Sequence, residues 1–415
     1  MQDQMAAPGR QISGDSGTNP AGSASDQNHF FRCFQEDSMR IERPDFLTYS
    51  RGGRKVELPV PDDAAQAHSA RLLERIRAAI AEAGGVIAFR HYMDMALYTP
   101  GLGYYMAGQN RLGADGDFVT APEMGAVLAR VLVRVLAEVL ATVANSDGIL
   151  EFGAGRGTLA QQIHQCLPEQ PYAILELSPD LQEQQRSALP NLRHLQQLPN
   201  RWRGVMLANE VLDAMPVQVV ERDAGGLLRE RGVCWDGEKL DWDWMPGNYA
   251  LDDRLKPLLE QCPANYRTEM HPLAIAWLRE VATCLQAGAL ILIDYGQEAG
   301  EYYHPQRQSG SLRAYYRQHW LDDPFYWPGL CDLTAHVNFS ALLEAAPELG
   351  LEVQFYGNLA RFLVEHGLAE AYAGLAAGLD APGLLALNNE IKRLTLPQEM
   401  GESFKVLILC KRETA

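Results

Sequence analysis

No two of the seven cysteines (Cys33, Cys166, Cys234, Cys262, Cys284, Cys331 and Cys410) stand close enough to make a CxxC pair. An odd, scattered set excludes a disulfide framework and a zinc ribbon, and reads as reduced thiols with no metal site. No apolar run approaches the ~18 residues of a membrane-spanning helix. Cations are in deficit: 36 Lys and Arg face 53 Asp and Glu, for a formal net charge of −17. That excludes the clustered positive surface needed to grip a phosphate backbone, so no nucleic-acid partner is expected. The N-terminus lacks the basic-then-apolar order of a secretory signal, and its acidic residues count against a transit peptide. These absences together lead to the expectation of a cytoplasmic protein.

What is present is an ordinary hydrophobic fraction, 47% of 415 residues. That is enough for a sizeable core, arranged as one large domain with insertions or as two lobes. Residues 1–61 are expected to be disordered or poorly ordered. The first 29 are Gly-, Ser-, Asp-, Asn- and Gln-rich, and Pro44, Pro59 and Pro61 interrupt the rest. From Asp62 the pattern turns helical, with Leu72, Leu73, Ile76 and Ile80 at three- and four-residue spacing until Gly84 and Gly85 stop it. A short helix follows near Ala88. The Gly-rich aromatic stretch at 99–125 is too long for a plain connector, and such loops are often functional. Residues 62–123 thus form a helical cap and a covering loop, and 124–415 the main domain.

A long apolar helix, roughly Met124 to Val143, opens that domain. Strands are then expected at Gly148–Phe152, Tyr172–Leu177, Leu192–Leu195, Gly204–Ala208, Ala287–Asp294, Leu351–Tyr356 and Phe404–Cys410. Helices are expected at Thr158–Cys166, Pro179–Ala188, Leu273–Leu285 and Phe339–Ala346. Such alternation implies a mostly parallel sheet with helices on both faces. Insertions at about 217–270 and 297–335 break it. The former begins with short strands and Gly turns such as Asp236-Gly237, and the latter has no clear period.

Five segments carry chemistry. Glu151-Phe152-Gly153-Ala154-Gly155-Arg156-Gly157 follows an apolar strand and opens a helix. Its glycines, Gly153, Gly155 and Gly157, let the backbone turn sharply and let a ligand approach. Glu151 is suited to meet a cationic amino-acid group. A purely structural turn would use the same glycines, but the spacing is not the GxGxxG of a dinucleotide site. Glu176 ends the next strand in AILELS, followed by Leu177. A carboxylate there accepts ribose hydroxyls, which suits an adenosine ligand without separating S-adenosylmethionine (SAM) from NAD. Asn209, Glu210 and Asp213 lie in ANEVLDAMP after the fourth strand, where open sheets bind ligands. Two acids three residues apart can hold a cation, though Asn209 or Asp213 could equally cap a helix. Ile293-Asp294-Tyr295-Gly296 follows the fifth strand. Asp332-Leu333-Thr334-Ala335-His336-Val337-Asn338-Phe339 precedes a helix, and a lone histidine such as His336 is as often structural as catalytic.

In order along residues 95–340 stand GLGYYMAG, DGDFVTAPEMG, LEFGAGRGTLA, ANEVLDAMPV, LILIDYG and PGLCDLTAHVNF. In these the chain resembles the MidA-type SAM-dependent methyltransferases, a family related to the mitochondrial protein-arginine methyltransferase that assists assembly of respiratory complex I. GDFVTAPE with ANEVLDA and DLTAHV carries the resemblance more specifically than the glycine loop. Met124 and Arg156 are small departures, and the first ~60 residues are not covered. The resemblance implies a class I, Rossmann-like methyltransferase fold: a seven-stranded, mostly parallel sheet with a reversed final hairpin. It implies SAM as cofactor, S-adenosylhomocysteine as product, and Gly153, Gly155, Glu176, Phe118, Thr120, Pro122 and Glu123 around the cofactor. Glu151, Gly157, Leu177 and Asn209 join that set. It further implies an arginine of a partner protein as acceptor, giving symmetric dimethylarginine, with a respiratory complex I subunit as the candidate partner and a homo-oligomer left open.

An arginine is a poor nucleophile because its guanidinium stays charged to a pKa of about 12.5–13.8. Carboxylates can localise that charge and aim one nitrogen. Glu210 is the first candidate, Asp213 the second, and His336 the candidate proton acceptor; Tyr104, Tyr105 and Phe118 could exclude water. Two other readings stand beside this one: an O- or N-methyltransferase for a small metabolite, and a SAM-binding assembly factor with little catalysis.

Overall fold

The computed structural model describes residues 46–51, 54–108, 121–247 and 255–413. The apolar runs become strands of one sheet. They are β1 (Gly148–Phe152), β2 (Tyr172–Leu175), β3 (Arg193–Leu195), β4 (Trp202–Asn209), β5 (Leu285–Gln297), β6 (Glu352–Asn358) and β7 (Phe404–Lys411). Their spatial order is β6-β7-β5-β4-β1-β2-β3. The first five pair in parallel, and β7 runs antiparallel to both β5 and β6. Val337–Asn338 adds a short strand parallel to the end of β5, one more than the seven expected.

Side-chain period 2 divides the core cleanly. Ile149, Val205, Leu207, Ile291 and Ile293 pack with the Val127–Thr142 helix on one face. Their chain neighbours Leu150, Met206, Ala208, Leu290 and Leu292 pack on the other, with Leu278 and Val281 of the Pro272–Cys284 helix. Strands buried on both faces read as unbroken apolar runs, which is why they were visible in the sequence.

The inserted segments build a second, five-stranded sheet. Leu240–Trp244, Leu228–Trp235, Gln218–Arg222 and Tyr266–Met270 pair antiparallel in that order, and Val86–Ala88 joins at Leu228–Trp235. The Asp63–Glu82 and Phe89–Tyr98 helices pack against it. Asp62 caps the former by accepting from the Ala65 amide (2.8 Å). A third, small sheet places Arg313–Tyr316 between His319–Leu321 and Asp332–Thr334, in a segment for which the sequence showed no period.

One expectation is corrected within residues 1–61. Phe46–Arg51 and Arg54–Pro59 form an antiparallel hairpin. A Gly-Gly pair stands between them in the sequence, the common signal for a two-residue hairpin turn. Residues 1–45 lie outside the described residues.

The parallel strands reverse direction of growth between β1 and β4. At such a switch point the loops leaving adjacent strand ends diverge and open a crevice. The glycine loop leaves β1 there, and Asn209 and Glu210 leave β4.

Candidate cofactor and acceptor site

At the β1 end, Gly153, Gly155 and Gly157 all take positive φ (59°, 55° and 80°). A Cβ on Gly153 would also stand 3.3 Å from Val211 Cγ2, so a side chain there is disfavoured twice. Gly157 then serves as N-cap of the Thr158–Cys166 helix. That helix carries Gln162, whose Nε2 donates to the Pro122 (3.2 Å) and Gly125 (3.0 Å) carbonyls. The APEM segment is thereby fixed to the crevice. Pro122 and Glu123 are in place; Phe118 and Thr120 lie outside the described residues.

At the β2 end, Glu176 is buried and well satisfied. Its Oε1 accepts the Ser178 amide (3.0 Å), and its Oε2 accepts the Gly155 amide (3.3 Å) and Gln185 Nε2 (3.5 Å). Burial raises its pKa, against the pull of those donors. Beside it Leu177 is 59% exposed, an apolar side chain left at the crevice rim. Glu151 behaves differently from expectation. It is 2% exposed and accepts from the Tyr172 hydroxyl (2.6 Å), and burial pushes its carboxyl up to about 7. Tyr172 lies on the neighbouring strand, so Glu151 ties β1 to β2 inside the protein.

The β4 end holds the acids. Glu210 takes a left-handed φ of 54°, unusual for a residue with a Cβ. Two things hold it there. Its own amide donates to the Ile293 carbonyl (2.9 Å). Asp294, at the end of β5, accepts the amides of Val211 (3.2 Å), Leu212 (2.9 Å) and Asp213 (3.3 Å) on one oxygen. Asp294 is the clamp that shapes this turn. Strained residues of this kind cluster at functional sites because the surroundings over-determine them.

Among the described residues the Glu210 side chain has two donors: Asn209 Nδ2 (3.0 Å) and the more distant Ala121 amide (3.4 Å). Burial first, then the Asp213 charge, pushes it up to about 8. Asp213 is 5% exposed; burial, Asp294 and Asp332 raise it well above the usual carboxylate range. Tyr105 donates to Asp332 Oδ1 (2.8 Å), and Tyr98 donates to the Ala214 carbonyl (3.0 Å). Their rings stack at 5.6 Å. Four acids and two tyrosines therefore close one end of the crevice. Asn209 Oδ1 is a buried acceptor that finds no hydrogen-bond partner among the described residues. Like charges crowded out of water are a common mark of a site shaped for a cation.

The chain is similar to a described methyltransferase family, to a solved structure and to named relatives. The model of a family described as "Putative S-adenosyl-L-methionine-dependent methyltransferase" matches residues 127–357. A crystal structure of a protein from Burkholderia thailandensis, bound to S-adenosyl-homocysteine, superposes with a TM-score of 0.81 at 38% identity, covering 86% of this chain and 96% of that one. This chain belongs to that methyltransferase family. The enzyme's cofactor is SAM, and the class I fold is that of its relatives. The relative named "Protein arginine methyltransferase NDUFAF7, mitochondrial" from Danio rerio is 28% identical over 78% of this chain and 83% of its own length. The Drosophila melanogaster homolog of that protein is 26% identical over 85% and 88%.

These relatives overturn the cytoplasmic expectation, because they are named mitochondrial. Scattered thiols and the lack of a long apolar run do not separate one reducing compartment from another. Among the described residues, no helix is long and apolar enough to cross a membrane.

His336 does not fit the base role expected of it. Its Nδ1 is engaged by the Gln297 side chain (3.0 Å), and its amide donates to Ser311 Oγ (3.0 Å). Burial, then Arg307 and Arg313, push its pKa down to about 4. A histidine so depressed is neutral at physiological pH but binds a proton weakly. Its ring instead faces Tyr295 (6.3 Å, 18° between planes). The sequence offered Asp332 or Asn338 as a helix cap, and it is Asn338 that caps the Phe339–Glu348 helix; Asp294 and Tyr295 stood in a marked segment without a role. Sequence reasoning also missed Tyr98.

Proposed function

We propose that this enzyme methylates an arginine side chain of a partner protein. The observation that carries this reading is Glu210: a carboxyl held in a strained turn, short of donors, and crowded by Asp213. A guanidinium supplies what that group lacks, a positive charge and a planar fork of N–H donors. The names of the relatives support the same acceptor.

The residues present fit the cofactor. Glu176 would take the ribose hydroxyls and Leu177 would cover the adenine. Asn209 Oδ1, a buried acceptor without a partner among the described residues, would take the ammonium, with Glu123 near Glu210 adding negative charge. Gly153, Gly155 and Gly157 leave room for close backbone approach. SAM, when bound, supplies an electrophilic methyl group. Glu210 and Asp213 grip the guanidinium and aim one nitrogen, and orientation of this kind can be worth roughly 7–11 kcal/mol. Methylating a guanidinium releases one proton. Glu210, pushed up to about 8, can take it, in place of His336. Tyr98 and Tyr105 keep water from the acids, with the helical cap as cover. The partner is a protein with an accessible basic segment, a respiratory complex I subunit being the one to test first, and symmetric dimethylarginine is the product of two rounds.

The decisive experiment incubates the enzyme and its Glu210→Gln variant with methyl-labelled SAM and blocked peptides carrying arginine, lysine or serine. Fragment masses locate the label. Label on arginine that disappears in the variant supports the reading; label on lysine, serine or nothing defeats it.

A further inference from the structure

Outside the crevice, a cavity of about 480 Å³ opens between the second sheet's Val86–Ala88 strand, the Phe89–Tyr98 helix and the start of the Pro272–Cys284 helix. Val86, Pro216, Met245 and Leu273 line it, together with Arg90, His91 and Asp94. Leu273 is 40% exposed, and His91 and Asp94 are exposed. Apolar walls with charged neighbours suit an amphipathic chain better than a small polar metabolite.

Two links connect this cavity to the acids. Pro216 follows Ala214 by two residues, and the Ala214 carbonyl accepts the Tyr98 hydroxyl. Asp94 and His91 lie one and two turns before Tyr98 on the Phe89–Tyr98 helix, and they share its exposed side. At 1.5 Å per residue, His91 is ~10 Å from Tyr98 along the axis. An extended peptide covers ~10 Å in three residues. The cavity therefore begins about three residues' reach from Tyr98, whose hydroxyl is held by the carbonyl of Ala214, the chain neighbour of Asp213.

We propose that this cavity seats an apolar side chain of the acceptor protein, three or four positions from the methylated arginine. This rests on the arginine reading above and adds a sequence preference to it. Recognition at two points also explains how an acidic crevice would select one arginine among many, since a buried side chain adds discrimination that a guanidinium cannot supply alone.

The test uses blocked heptapeptides: one with a central arginine among glycines, and others with one leucine placed three positions before or after it. The leucine peptide matching the chain direction should show kcat/KM raised about tenfold or more, the scale of burying one leucine. Two substitutions then challenge the cavity. Leu273→Asp removes an apolar wall, and an acid there suits the N-terminal turn of its helix. Ala83→Trp, at an exposed position on the lining, fills the space. Both should make the leucine and glycine peptides equal, and titration with S-adenosylhomocysteine checks that the cofactor end is folded. A leucine advantage that survives both substitutions, or no advantage at either position, overturns the cavity proposal and leaves the arginine reading standing. If no arginine peptide is methylated at all, both fall.

Discussion

Glu176 and Glu210 both sit where parallel strands end, yet they are opposites. Glu176 is ringed by its own chain's donors: the amides of Ser178 and Gly155 and the Gln185 side chain. Glu210 has one good donor and a crowd of acids. Pre-satisfied carboxylates hold their geometry and can spare a lone pair for a neutral hydroxyl. A carboxylate starved of donors and pressed by like charge waits for a cation. The difference assigns the two ends of the crevice: sugar at one, charged acceptor at the other.

That contrast can be broken by substitution. The largest effect is expected from Glu210→Gln, which should lower kcat on an arginine peptide by roughly 10²–10³-fold, as removal of one transition-state partner does elsewhere. Calorimetry should find S-adenosylhomocysteine affinity unchanged; a lost affinity would move Glu210 to the cofactor end. Glu176→Ala should do the reverse. Cofactor affinity falls about tenfold to a hundredfold, as charge-assisted hydrogen bonds at about 1.5–3 kcal/mol each are removed, while kcat at saturating SAM changes less.

The third test is pH. Guanidinium binding needs the Glu210 carboxylate, so kcat/KM for an arginine peptide should climb as pH rises through about 8, and Glu210→Gln should flatten the climb. Stability should move oppositely. The folded pKa lies above the unfolded value, so the native state holds a proton that the unfolded chain has lost between about 4.3 and about 8. Stability contributed by the neutral acid is present at low pH and lost as pH rises across that window. Melting temperatures of Glu210→Gln should therefore gain on wild type toward pH 8. A variant equally sensitive to pH would show that another group titrates. The smallest effect belongs to His336→Ala, where turnover should stay within about threefold of wild type, since a group this depressed does little general-base work. A loss beyond 10²-fold would return His336 to the chemistry.

Much of the main sheet was legible in the sequence because its signals are local. Gly148–Phe152, Thr158–Cys166 and Pro179–Ala188 have the bounds expected of them, each marked by an apolar run, a glycine or an N-terminal proline. The helices between β6 and β7 were not foreseen. Leu368–Ala376 packs Leu368, Ala371, Tyr372 and Leu375 on the core at helical spacing, a period that was overlooked in an Ala-rich stretch with no fully buried residue. The Phe46–Pro59 hairpin was passed over among proline breakers. At the site, Glu176, Glu210 and Asp213 could be chosen by motif. Asp294's role could not, because it accepts amides 81 to 83 residues away. Tyr105 and Asp332 meet across 227 residues. Such partnerships exist only once strands and helices far apart in the chain have come together.

β7 lies between β5 and β6, although it comes after both in the chain. During synthesis, β5 is complete more than a hundred residues before its outer neighbour emerges. Until then its edge offers unpaired backbone groups to any passing strand. β6 has no sheet partner but β7, so it cannot dock early. Asp294 and Tyr295, at the far end of that same β5–β7 ladder, are paired with Lys405 and Phe404. The turn that strains Glu210 is thus stiffened by some of the last residues the ribosome delivers. The geometry of that turn is therefore complete only when the C-terminal strand has been inserted.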